Sequence, residues 1–136
     1  MKTFRILSVI FGLLLLALVI VADLNLAPDL LSVIYVLPFG DKIGHFILMG
    51  VMSLLLNVWT QPSRVTPLRI SRTSLFFFAI VAIEEASQIF FPTRTVSWID
   101  LSADMAGIFL LGELGCQLGH TIVDKKSPGY SRQEKS

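Results

Sequence analysis

Four long apolar runs decide most of what this chain can fold into. Between Lys2 and His120 they alternate with short polar stretches, and each approaches the length that crosses a bilayer. A span needs about 20 apolar residues, with a lower limit near 17. The first run is uncharged from Ile6 to Ala22 and follows Lys2 and Arg5. A secretory signal peptide has the same outline, but the run is long for one, and cutting after Ala22 would put Ile20 where a small residue is required. A retained helix is the expectation. The predicted helices cover 4–22, 42–60, 74–91 and 99–119, within one domain over residues 1–120. A polar, basic tail over 121–136 is expected to be disordered.

Composition narrows the class. Of 136 residues 54% are hydrophobic and 15% charged, against about 25% charged in ordinary soluble domains. The single cysteine, Cys116, excludes an intrachain disulfide framework and a cysteine-based zinc site. The fold class expected is therefore an all-α membrane protein, a four-transmembrane-helix bundle. No metal and no cofactor is expected.

The connectors are short. Residues 23–40 hold an apolar middle, LLSVIYVLPFG, too short to cross and expected at the interface or over the helix ends. Gln61–Arg72, with two prolines and three arginines, reads as a loop. Trp59 and Trp98 fall at helix ends, where interfacial anchors belong. Gly40-xxx-Gly44 and Gly115-xxx-Gly119 have the spacing that lets helices approach closely, and say little about oligomers.

Of the eleven basic residues, Lys2, Arg5, Arg64, Arg69, Arg72, Lys125, Lys126, Arg132 and Lys135 lie on one side of such a bundle, leaving Lys42 and Arg94 opposite. The positive-inside rule then puts both termini and the middle loop in the cytoplasm. Topology also accounts for the basic residues without nucleic acid, since no aromatics are interleaved with them.

Ionisable residues inside a span mark functional sites by default. With this orientation His45, Glu85, Gln88 and Asp104 lie within about 10 Å of helix ends that share the outer leaflet. Spacing adds a common direction. Asp41 and His45 are i,i+4, Gln88 follows Glu84 and Glu85 by four and three, and Asp100 and Asp104 are i,i+4. Three polar arcs of about 100° around one axis form an outward-opening pocket.

Each residue also has a plainer reading. His45 is a packing histidine, a proton-transfer group or a metal ligand. Glu85 and Arg94 form an ion pair holding the hairpin shut. Asp100 caps the fourth helix. Glu113 and His120 lie toward the cytoplasmic end, where snorkelling and a pore-facing role are not separated. The run Phe76–Phe78, with Met49 and Met52, faces lipid or core.

The motifs DKIGHF at 41–46, Glu85-x-x-Gln88, Pro92-Thr93-Arg94, and Asp100 with Asp104-x-x-Gly107 resemble the signature of the VanZ-like family. These are small four-helix membrane proteins named for a teicoplanin-resistance factor. The resemblance covers roughly residues 40–115. The matching positions are Asp41, Lys42, His45, Glu85, Gln88, Arg94, Asp100 and Gly107; the chain departs at Asp104, where the family pattern has Asn. The resemblance implies a multi-pass protein of the bacterial inner (cytoplasmic) membrane, with a link to the cell envelope and to glycopeptide resistance, and it names a class rather than a reaction.

Several functions follow. The first is binding of an outer-leaflet lipid or lipid-linked envelope precursor, with Lys42 and Arg94 meeting a phosphate and Asp41, His45, Glu85, Gln88, Asp100 and Asp104 orienting the headgroup. The second is an enzyme on the same amphiphile, with His45, Glu85 and Asp104 as catalytic candidates. Ser87, Ser97 and Ser102 sit in no nucleophile motif, so the enzyme reading lacks its attacking group. The third is a proton-coupled carrier, although its acids are confined to one leaflet. A purely structural bundle leaves five clustered acids without a purpose.

Overall fold

The computed structural model describes residues 2–26, 39–65, 70–91 and 95–126. The apolar middle of the first connector, residues 66–69 of the expected loop, Pro92, Thr93 and Arg94, and the tail from 127 that was expected to be disordered lie outside the described residues. Four helices form the body: α1 (Lys2–Asp23), α2 (Gly40–Thr60), α3 (Arg72–Ser87) and α4 (Trp98–Lys126). A 3-10 turn, Gln88–Phe90, extends α3. All four helical segments are long and apolar enough to cross a membrane.

Two boundaries differ from expectation. The fourth helix does not stop at 119 but runs on to Lys126. Backbone hydrogen bonding needs no apolar side chains, and Gly119 sits against α2 instead of ending the helix. At about 1.5 Å per residue its 29 residues reach roughly 43 Å, well beyond the ~30 Å hydrocarbon layer. Within the stretch read as a loop, β1 (Arg64–Val65) and β2 (Ile70–Ser71) pair antiparallel, Arg64 opposite Ser71 and Val65 opposite Ile70. Ser71 then caps α3, its Oγ accepting from the Ser74 N–H at 2.9 Å.

The central feature is a close parallel pair. α2 and α4 make by far the most extensive contact in the molecule, and their partners advance together: Phe46 with Gly107, Leu54 with Gly115, Val58 with Gly119. A Cβ at Gly107 would fall on the Phe46 carbonyl, and one at Gly115 on that of Leu54. The glycines let the two backbones touch, as small residues do where helices associate in lipid. Gly115-xxx-Gly119 thus serves contact within the chain. α3 packs antiparallel against this pair, and α1 lies mainly on α2.

Burial runs opposite to that of a water-soluble domain. Ser8, Ser53, Asn57, Ser71, Ser74, Glu85, Gln88 and Asp104 are buried, while among the described residues the buried hydrophobic ones are Leu15, Val58, Val81, Ile108 and Cys116. Large apolar side chains line the outside, including Ile10, Leu13, Phe76, Ile83 and Leu110. Phe76 faces outward as expected, and Phe78 turns in to meet Phe109 with ring centroids 5.5 Å apart.

Candidate functional site

The start of α2, the end of α3 and the start of α4 lie at one end of the bundle, because α3 runs against the other two. Their polar residues meet there in linked groups. On α2, the Lys42 ammonium donates to the neighbouring Asp41 carboxylate and, at 2.7 Å, to Asp100 Oδ1 on α4. One turn deeper, His45 Nδ1 lies 3.0 Å from Asp104 Oδ1. These are successive rungs between parallel helices, since 42 to 45 and 100 to 104 are each about one turn.

The rungs differ in burial. Lys42 keeps a quarter of its side chain exposed and His45 24%, whereas Asp104 keeps only 2%. A carboxylate so buried needs a donor, and the imidazole supplies it. Accepting from Nδ1 places the neutral ring's proton there and leaves the lone pair on Nε2. Among the described residues nothing bonds Nε2. Asp100 and Glu85 are close enough to act electrostatically on the ring.

On the α3 side, Gln88 Nε2 donates to Glu84 Oε1 at 3.2 Å and Glu85 Oε2 at 3.0 Å. The other Glu85 oxygen accepts the Ser97 N–H at 2.6 Å. Glu85 and Gln88 are both buried. The start of α4 therefore differs from expectation. Ser97, not Asp100, is the cap: its Oγ accepts from the Asp100 N–H at 3.2 Å, and its carbonyl accepts from Leu101. In a capping box the residue at Asp100's position would return a bond to the cap's own N–H. Glu85 makes that bond from another helix, which releases the Asp100 carboxylate to Lys42.

The ion pair expected between Glu85 and Arg94 lies outside the described residues on its Arg94 side; the Glu85 carboxylate meets Gln88 and Ser97. The serines near the site are engaged locally. Ser87 Oγ donates to the Glu84 carbonyl and Ser102 Oγ to that of Trp98, both at 2.7 Å. None of them bonds His45. Among the described residues, no three His, Cys, Asp or Glu side chains gather to hold a metal ion.

A second polar cluster, not anticipated from the sequence, lies toward the other end. Asn57 Nδ2 donates to the Ser53 carbonyl at 2.8 Å and to Ser74 Oγ at 2.9 Å, and Ser71 Oγ donates to Asn57 Oδ1. Ser53 Oγ donates to the Ile108 carbonyl of α4 at 2.8 Å. The network joins three helices and is buried and satisfied, which is the structural use of polar groups in lipid. The signal available was the i,i+4 pair Ser53 and Asn57 within an apolar run. Nearby, Gln61 Nε2 donates to the Gly119 carbonyl at 2.8 Å. Glu113, on α4, accepts from Gln117 at 2.9 Å.

The fold and site define a class: a helical protein with four candidate membrane spans, polar inside and apolar outside, with an imidazole–carboxylate pair near one end. No protein-family profile, curated protein or solved structure matches the chain.

Proposed function

We propose that the chain is a VanZ-like integral membrane protein of the bacterial inner membrane. In this reading its four helices cross the bilayer with both termini in the cytoplasm, and the polar end faces the outer leaflet. There it binds a lipid or a lipid-linked component of the cell envelope. The inside-out burial supports the membrane part, and so does the order of basic residues in the sequence, which precede the first helix, fall between the second and third, and follow the fourth. The single observation that carries the binding part is the His45–Asp104 pair. It is a half-buried imidazole fixed by a buried carboxylate, in a place where stability alone is as well served by apolar packing.

The enzyme reading draws on the same pair, because a carboxylate-oriented imidazole is built to move protons. It stands second because the neighbouring serines are engaged with their own helices. A contribution to teicoplanin resistance belongs to the binding reading through the precursors displayed at the outer face.

The test is purification in mild detergent followed by lipid extraction and mass spectrometry. Wild-type protein should carry amphiphile that His45→Ala and Asp104→Ala lose while their helix content is kept. Equal lipid in folded wild type and variants would refute the reading.

A further inference from the structure

We infer that the polar end of the bundle sits at the boundary between headgroups and acyl chains. The His45–Asp104 pair then lies inside the lipid layer, and what it meets arrives from there: an amphiphile still anchored by its tails, not a solute from water. The depth follows from the surface of the molecule alone; the choice of partner rests on the binding reading above.

The surface at this end is inverted. Among the described residues, the four most exposed large apolar side chains are Phe90 at 82%, Trp98 at 77%, and Phe39 and Ile89 at 74% each. All four stand where α2, α3 and α4 bring the site together, with the exposed Ile43 and Ile99 next along α2 and α4. The described charged residues of the same helix ends go the other way. Asp41, Lys42, Glu84 and Asp100 are half-buried, Glu85 and Asp104 are buried, and none is exposed. Toward the opposite ends of α3 and α4, Arg72, Gln117 and His120 are exposed. An end bathed in water would show its charges and cover its rings. This one covers its charges and shows its rings, as a surface in contact with lipid does.

Phe39 adds an observation independent of area. It holds φ 62° and ψ 17°, a left-handed conformation that a bulky residue rarely adopts. Its ring nevertheless gains little contact within the chain. Lipid contact accounts for a ring held there.

Helix length sets the depth. α2 has 21 residues, about 31 Å at 1.5 Å each, which matches the ~30 Å hydrocarbon layer and leaves no length to spare. Phe39 and Trp98 then fall at its edge, where large rings anchor a span. His45 lies six residues beyond Phe39, and Asp104 six beyond Trp98, so the pair is roughly 9 Å deeper. The rim also continues into the exposed apolar sides of the helices, Ile47 and Ile83 among them. The lipid that surrounds the spans therefore reaches the mouth of the site.

The test is nitrogen-15 NMR of the full chain, labelled in histidine and tryptophan, in phosphatidylcholine bicelles. The chain has two of each residue, so the Trp98 indole and the His45 ring are read beside Trp59 and His120. Assignment uses Trp59→Phe and His120→Ala, and the comparison itself is made on wild type. One sample holds a phospholipid with a nitroxide near the top of its acyl chain, another a gadolinium chelate confined to water. Trp98 and His45 should lose several-fold more intensity to the nitroxide lipid than to the chelate, and the chelate should broaden His120 more than His45. The amphiphile that co-purifies should also withstand millimolar water-soluble headgroups made by deacylating a bacterial lipid extract.

Chelate broadening of His45 equal to that of His120 overturns the inference and gives the site an aqueous mouth, with the binding reading untouched. A Trp98 signal reached by neither agent overturns it too, because a second copy then covers the rim. Displacement by the deacylated headgroups assigns recognition to a solute and overturns the choice of amphiphile. The binding reading fails separately, on equal lipid in wild type and variants, while the nitroxide result still fixes the depth.

Discussion

Replacing Gly107 by alanine tests the parallel α2–α4 contact on which the site depends. The added Cβ meets the Phe46 carbonyl oxygen, carbon and Cα, which is backbone that no rotamer change moves aside. The helices must separate or shift near His45–Asp104. Overpacking of this kind costs about 1–3 kcal/mol, and the better helix propensity of alanine returns about 1, for a net loss of up to about 2 kcal/mol. Gly44→Ala is the control, because a Cβ there meets nothing within 4 Å. It gains the propensity alone and should be stabilised by up to about 1 kcal/mol. At Gly119 the nearest atom, the Val58 carbonyl oxygen, is 3.1 Å away, so alanine should fall between the two. Unfolding by SDS in mixed micelles, followed by far-UV circular dichroism, reads the ordering. If Gly107→Ala proves as stable as Gly44→Ala, the backbones do not touch as described and the rungs beside them lose their frame.

The remaining predictions concern the polar groups and the orientation. Asn57→Leu removes the hub joining Ser53, Ser71 and Ser74, and should cost about 1–3 kcal/mol in the same micelle assay. A neutral result would show those bonds to be dispensable. Glu85→Ala leaves the Ser97 N–H without its acceptor, so hydrogen exchange at Ser97 and in the first turn of α4 should quicken while α2 is unaffected. Unchanged exchange at Ser97 would remove Glu85 from the cap. Cys116 is buried, so introduced cysteines label against a quiet background. Thr95→Cys should react with an impermeant maleimide on intact cells and Ser63→Cys only after lysis; the reverse pattern would move the polar site to the cytoplasmic face.

The helices were legible because hydrophobic runs of span length leave little else to form. Legible too was the shared depth of Asp41, His45, Glu85, Gln88, Asp100 and Asp104, which follows once three helix ends are placed together. Which side chains bond was not legible. Partners such as Lys42 and Asp100 are separated by 58 positions and meet only through the parallel register of α2 and α4. That register is set by glycines whose spacing reads equally well as an oligomer contact. The cap at Ser97 was obscured by Asp100, a good capping residue by type, because the deciding bond comes from Glu85 on another helix. The Ser53–Asn57 network was hidden for a different reason. Small polar residues scarcely interrupt an apolar run, so their burial shows only once Ser71 and Ser74 arrive beside them.

The chain has two histidines, His45 and His120, so nitrogen-15 NMR of histidine-labelled protein reports on the site almost alone, and His120→Ala assigns the signals. In lipid-free micelles at a pH where the ring is neutral, His45 should show a protonated Nδ1 and a bare Nε2. Addition of a bacterial lipid extract should then shift the His45 Nε2 resonance and leave His120 unmoved. A His45 ring protonated at Nε2 instead, or a spectrum indifferent to the lipid, would contradict the claim that Asp104 holds this imidazole ready to receive a headgroup.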